Sequence, residues 1–259
     1  MVELTVLGSG SAGNAVAIKY QREVLLIDAG FSGVELARRL NDAQTNPEEI
    51  VGILISHEHD DHIQGARVFA KRNGNIPTYL NSLTGERLRL MKKSPEKICV
   101  FSNGVPFHVG SFDIEAFSVC HDAVDPVGFI IRCQGRKIGI ATDLGYAGKM
   151  VPLKLRYSHL LILESNHDPE LLRKSRRPAH LQHRILSRRG HLSNQSAAEL
   201  LPAIIGPLTQ HVILAHVSND CNHPDLVQRI ICERLTDLNR NDINVCVARQ
   251  NSVGETITI

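Results

Sequence analysis

Residues 54–65 read LISHEHDDHIQG, and the six positions from His57 to His62 hold three histidines and three acidic residues directly behind an apolar run. Imidazole suits zinc, iron and manganese while carboxylate oxygen suits harder divalent ions, so this mixture points to a hydrolytic dinuclear centre. In an extended segment His57 and His59 face one side, and a helix beginning near residue 61 turns Asp61 and His62 back toward them. Four ligands then converge from six residues. A solvated charged loop would not need the HxHxDH spacing.

Other apolar runs end the same way. Asp28, His57, His121, Asp143, Glu164 and His216 each close a strand-like segment. Strand ends that open into loops are where a rigid scaffold presents chemistry. One such residue reads as a turn former or end cap; six of them read as a site.

The elements that must position these groups are visible as short Val, Ile and Leu runs bounded by Gly, Asn or Asp. They are ELTVLGSG, EVLLIDAG, VGILISH, FDIEAFSV, VGFIIRC, KIGIATD, HLLILES, HVILAHV and INVCVARQ. Helical spacing predicts helices over 32–42, 63–73, 82–92, 178–188, 193–204 and 223–239, with Ser193 and Pro224 at helix starts. The stretch from about 98 to 147 is poor in helix and joins two strand-rich halves. No long linker or low-complexity tract divides them. The pattern is one layered α/β unit.

Composition sets the limits. A chain of 259 residues with 42% hydrophobic content buries a sizeable core. A net charge of +2 announces neither nucleic acid nor membrane, so any basic surface must be local. One such surface is visible. Residues 171–198 carry seven Lys or Arg and no Asp or Glu, which suits a polyanion and makes Arg176, Arg177, Arg184, Arg188 and Arg189 candidate contacts to a nucleic-acid backbone. A merely solvated helix face is the plainer alternative. The six cysteines are scattered without a CxxC pair and read as reduced thiols. With no signal-like amino terminus and no run of about 18 apolar residues, the expectation is a soluble cytoplasmic protein with no membrane partner.

HEHDDH at 57–62, followed by the other strand-end residues in this order, resembles the signature of the metallo-β-lactamase superfamily. The resemblance covers nearly the whole chain. It implies an αββα sandwich over residues 1–259, with the site on the sandwich edge and two divalent metal ions (Zn, Mn or Fe) as cofactors. It also implies that His57, His59 and His121 hold one ion, that Asp61, His62 and His216 hold the other, and that Asp143 bridges both. Asp28 resembles the buried aspartate that supports the HxHxDH loop, in keeping with the acceptors that ligating histidines need behind them. The segment GSGSAGN (8–14) reads equally as a source of backbone donors near the metals and as a plain turn between strands.

Within the superfamily, the absence of a cysteine ligand disfavours antibiotic hydrolysis. GHLSNQSAAELL carries His191 at a helix start, similar to the GHST-like segment of RNase Z-type phosphodiesterases. There the histidine donates a proton or stabilises the transition state, and Glu164 in LILESNHD would orient it. The plainer reading of His191 is a histidine flanking a helix. LGSGSAGN, HEHDDHIQG, LESNHDPELL, GHLSNQSAA and LAHVSNDCN together resemble the YycJ/WalJ-like family. That resemblance implies a 5′-to-3′ double-stranded DNA exonuclease in which a hydroxide held between two metals attacks phosphorus, with His191, Asp61 and Glu164 as the catalytic group. Two rivals remain: a small-molecule cyclic phosphodiesterase or thioester or lactone hydrolase, and a non-catalytic metal-containing regulatory module.

Overall fold

The computed structural model describes all residues, 1–259, as two seven-stranded mixed sheets packed face to face with helices outside. The first sheet contains β1 (Val2–Gly8), β2 (Ala15–Tyr20), β3 (Glu23–Ile27), β4 (Ile50–Leu54), β5 (Thr78–Asn81) and β6 (Ile98–Phe101) in that order, with β14 (Ile257–Thr258) beside β1. The second runs from β7 (Phe107–Val109) through β8 (Phe112–Ser118), β9 (Val127–Cys133), β10 (Arg136–Ala141), β11 (Leu160–Glu164) and β12 (His211–Ala215) to β13 (Asn244–Val247). Each strand anticipated above is present. The short β2, β5, β6, β7 and β14 were not, and β14 returns the chain's end to the first sheet.

Alternation along the strands builds three apolar layers. Ile18, Leu54, Phe112, Phe129 and Ile162 fill the space between the sheets. Behind the first sheet, Leu36, Leu40, Phe69 and Leu88 come from α1 (Gly33–Asp42), α3 (Ala66–Arg72) and α4 (Ser82–Leu90). Behind the second, Val151, Leu155, Leu201, Ile204, Val227 and Ile231 come from α5 (Met150–Leu155), α8 (Asn194–Ile204) and α9 (Pro224–Asp237). Each fully buried side chain of this kind is worth about 1.5–3 kcal/mol, so the sheets are a stiff platform for whatever their ends carry. This is the αββα sandwich.

Sheet direction explains why the polar residues meet. The β3/β4 pair is parallel, as are β10/β11 and β11/β12, while β8 and β10 both run antiparallel to β9. The carboxyl ends of β8, β10, β11 and β12 therefore open at one edge, the position where α/β sheets bind ligands. Asp28, Asp143 and His216, one or two residues beyond β3, β10 and β12, all take left-handed backbone with φ of 58°, 55° and 54°. Such residues are uncommon outside glycine and cluster where function fixes the chain. They swing the side chain off the strand axis at once.

Two helical expectations change. The single helix expected over 63–73 is two: α2 (Asp60–Ile63) and α3, separated at Gln64 and Gly65. Gly65 donates its N–H to Ala29 O at 2.8 Å, and a Cβ there would lie 2.2 Å from Phe31 O, so the chain breaks to dock on the strand end carrying Asp28. The helix expected over 178–188 is α7 (Ala179–Leu186), preceded by a further helix α6 (Pro169–Lys174) that Asp168 caps. Ser193 caps α8 through the Ser196 N–H, and Pro224 opens α9. No helix is long and apolar enough to cross a membrane.

Candidate metal centre

Asp28 organises the HxHxDH loop from beneath. Its Oδ1 accepts the Ser56 N–H at 2.8 Å, and its Oδ2 accepts the Ser56 hydroxyl at 2.9 Å and meets His62 Nδ1 at 2.7 Å. That contact places the His62 proton on Nδ1 and leaves Nε2 facing the site. From the other side Asn14 N–H donates to Asp61 O at 2.8 Å, and Ser9 Oγ accepts the His216 N–H at 2.8 Å. GSGSAGN thus holds the loops through Ser9 and Asn14 side chains as well as its backbone.

The anticipated ligand atoms gather into overlapping groups, each within 4.8 Å: His57, His59 and His121; Asp61, His62 and His216; and His57, His62 and Asp143 between them. His57 and His62 each belong to two of these groups, and Asp143 stands between the outer two. One oxygen lies 3.8 Å from His121 Nε2 and 3.6 Å from His216 Nδ1, and the other 3.1 Å from His62 Nε2. That second oxygen is buried and, with the His62 proton on Nδ1, has no donor facing it. A buried carboxylate oxygen without a donor is costly, and a cation between it and the imidazoles resolves the cost. His57 Nε2 and His59 Nδ1 meet at 3.0 Å in the same way. The residues fit a pair of divalent ions with mixed nitrogen and oxygen donors.

Charge within the cluster is strongly coupled. Burial works against the charged forms of His62 and His216, yet the surrounding carboxylates, with Asp143 foremost, outweigh it and raise both well above the ordinary imidazole range. Burial, reinforced by the charge on His62, outweighs Asp143 and drives His57 well below that range. Asp143 lies well below the carboxylate range, because His216 and His62 overcome its burial.

Glu164 joins the metal group to His191. It is fully buried, accepts the Leu144 N–H at 2.8 Å, and places Oε1 2.7 Å from His191 Nδ1 and 3.0 Å from His216 Nδ1. Burial opposes its charge, but His191 and His216 win and hold it at about 2. The carboxylate therefore fixes both rings through Nδ1, leaving His191 Nε2 without a partner and His216 Nε2 turned to Asp61 Oδ2 at 3.4 Å. His191 lies 3.8 Å from Asp143 at the same centre.

The basic residues divide by position. Arg177 and Arg184 wall a cleft of about 100 Å³ that His191, Asn166, Ser11 and Ser218 also line. Arg177 pairs with Asp220 at 2.8 Å and Arg184 with Asp122. Arg189 donates to His121 O at 3.2 Å, Arg188 lies over Tyr146, and Arg176 is exposed.

Several supporting residues escaped sequence reasoning: Ser56 between Asp28 and the histidines; Asp122, 3.2 Å from His121; and Glu58, which accepts the Val124 N–H at 2.9 Å and ties the His121 loop to the HxHxDH loop. Asn194 and Asn222 pair through both amides at 2.9 and 2.8 Å, and Ser165 donates to Asn194 at 2.8 Å. The asparagines of GHLSN and NDCN are thereby the buried knot that joins the β11 and β12 ends to the start of α8.

His167, 1% exposed, has neither ring nitrogen hydrogen-bonded, and burial lowers it to about 4. The unfolded chain takes up its proton first as pH falls below about 6.5, so the neutral ring's contribution is complete above that value and is lost progressively down to about 4. The loss amounts to about 3 kcal/mol. Chemical unfolding of parent and His167→Leu across this window should show the extra acid destabilisation only in the parent; parallel curves would refute it.

A family model described as Beta-lactamase superfamily domain matches residues 23–217. The chain belongs to the metallo-β-lactamase superfamily, and the His/Asp centre lies where the fold's strand ends converge. It is 34% identical over 238 residues to the exodeoxyribonuclease YycJ of Bacillus anthracis, covering 91% of this chain and 90% of that protein. It is 33% identical over 235 residues to the exodeoxyribonuclease WalJ of Streptococcus pneumoniae, covering 89% and 87%. The crystal structure of the metallo-β-lactamase fold protein YhfI from Bacillus subtilis superposes with a TM-score of 0.73 at 18% identity, covering 98% of both chains.

Proposed function

We propose that this chain hydrolyses phosphodiester bonds as a 5′-to-3′ double-stranded DNA exonuclease. The observation that carries the reading is the cleft beside the His/Asp centre, which Arg177 and Arg184 line together with a histidine buttressed by a buried glutamate. Two relatives that align over about nine-tenths of this chain are named exodeoxyribonucleases, which supports the same substrate. His57, His59 and His121 would hold one divalent ion and Asp61, His62 and His216 the other, with Asp143 shared. Bound there, the ions supply Lewis-acid charge to phosphoryl oxygens and acidify water.

The chain's own residues do the rest. Asp28 and Glu164 fix the ring orientations of His62, His191 and His216, so no reorganisation is needed when substrate arrives. His191 Nε2 faces the leaving oxygen and delivers a proton to it. Arg177 and Arg184 hold the flanking phosphates. Their present carboxylate pairs are no obstacle, because exposed ion pairs are worth only about 0–1 kcal/mol and a phosphate can replace the carboxylate.

End-labelled duplex DNA, single-stranded DNA and RNA incubated with metal-loaded protein test the reading. Duplex labelled at the 3′ end should give a shortening ladder, while 5′ label should leave at once. Turnover of a small cyclic phosphodiester or thioester, insensitive to salt and with every polymer intact, would sink it. Replacing Arg177 or Arg184 singly should weaken DNA binding across sequences and lower the salt slope by about one unit. If reversing both charges leaves affinity and slope unchanged, the basic run is a solvated face.

A further inference from the structure

Tyr146 stands three residues beyond Asp143, on the loop between β10 and α5, and is 46% exposed. The Arg188 guanidinium carbon lies 4.9 Å from its ring centroid. The loop is fixed against the site. Gly145 N–H donates to Cys120 O at 2.9 Å, and Cys120 and Tyr146 form an isolated antiparallel bridge. A Cβ at Gly145 would sit 2.3 Å from Ser187 O and 2.6 Å from Gly190 N, so the backbone packs directly on the turn that delivers His191. Tyr146 is therefore held at the rim of the metal centre, between the His121 loop and the His191 turn.

Only one other aromatic side chain is comparably exposed. Tyr157, at 54%, also carries an arginine, Arg156, over its ring at 4.9 Å. It precedes β11, whereas Glu164 ends that strand, and five residues of strand span roughly 16 Å. Tyr157 is thus a matched aromatic pair placed away from the chemistry. Arg188, unlike Arg177 and Arg184, has no carboxylate within ion-pair distance. Its charge is committed to the Tyr146 ring and to whatever anion enters beside it.

We propose that Tyr146, backed by Arg188, is a shelf on which a nucleobase next to the scissile phosphodiester stacks. The proposal rests on the phosphodiesterase reading and names what that site recognises besides phosphate. Base–aromatic stacking tolerates any sequence because every base has a π-face, which suits an enzyme that removes nucleotides one after another. The cation against the ring adds a favourable contact of its own and leaves guanidinium N–H groups for the backbone. A small ester without a base gains nothing from the shelf.

The test compares parent, Tyr146→Ala, Tyr146→Phe and Tyr157→Ala in metal-loaded form on duplex DNA carrying normal or abasic nucleotides at the first and second positions from the attacked end. Tyr146→Ala should raise KM on normal DNA by on the order of tenfold, the effect of one lost stacking contact, whereas Tyr146→Phe and Tyr157→Ala should track the parent. One abasic position should raise the parent's KM by a similar factor and add little to the Tyr146→Ala loss. Fluorescence anisotropy with the metals chelated should show the same pattern in Kd. Tyr146→Ala matching the parent on normal DNA, or losing as much on abasic as on normal ends, overturns the shelf while the nuclease reading stands. A parent that shortens no DNA overturns that reading, and the shelf with it.

Discussion

Replacing Asp143 by Asn is expected to strip the protein of metal and of activity while leaving the fold intact. Asp143 is 2% exposed and faces both side-chain groups, with one oxygen toward His121 and His216 and the other toward His62. Seven convergent candidate ligands exceed the four that a single tetrahedral ion takes, so on the proposed assignment the Asp143 carboxylate would couple two sites. Even a residue one shell removed from a metal costs about 10–100-fold in affinity or activity when lost. The carboxylate between both sites should cost more than about 10²-fold in rate and lower the content from two ions per chain to one or none. Asparagine is the informative variant because it keeps the shape and tolerates the left-handed backbone at φ 55°. Alanine should reduce occupancy and rate too, but adds backbone strain. A fully active parent holding one divalent ion per chain would sink the dinuclear assignment, as would an Asp143→Asn protein that retains two.

The proposed ligands stand out in the sequence because chemistry and local geometry coincide in them. His57, His59, Asp61 and His62 lie within six residues, and the other ligands each follow an apolar run whose length alone says strand. The supports do not, because their partners are distant in the chain. Ser56 serves Asp28 from 28 positions away, Glu58 serves Val124 from 66, and Asn194 meets Asn222 across 28. No periodicity marks such pairs. Left-handed backbone at Asp28, Asp143 and His216 has no sequence signal either, since none is a glycine. The break at Gly65 was missed for a tertiary reason: helical spacing continues across it, but Gly65 N–H bonds Ala29 O and Asp61 O accepts from Asn14 N–H in place of the helical ladder. The αββα architecture was secured by the family resemblance. Strand and helix order alone would also have allowed other layered α/β arrangements.

His191→Ala is expected to lower kcat by about 10² to 10⁴ with metal content and thermal stability close to the parent, the loss expected for a positioned general acid. Geometry makes the case and also its rival. Glu164 holds Nδ1 at 2.7 Å and leaves Nε2 free in the cleft, as proton delivery requires. Yet Asp143, Glu164, His191 and His216 also form a group compact enough to hold an ion. Occupancy separates the two. Seven other side chains would furnish both sites, so loss of an ion with His191→Ala would refute the assignment. Leaving groups then distinguish acid catalysis from electrostatic stabilisation. A p-nitrophenolate leaves without a proton, so its esters should suffer much less from the variant than a DNA phosphodiester with its alkoxide leaving group. Equal losses on both substrates, with metals intact, would place His191 among the groups that stabilise charge on phosphorus. Glu164→Gln adds a second reading: it keeps an acceptor near His191 Nδ1 and removes the carboxylate charge that holds the ring. Under acid catalysis it should lower kcat on the DNA phosphodiester more than on a p-nitrophenyl ester. Equal losses on both substrates would mean that His191 does not deliver the proton.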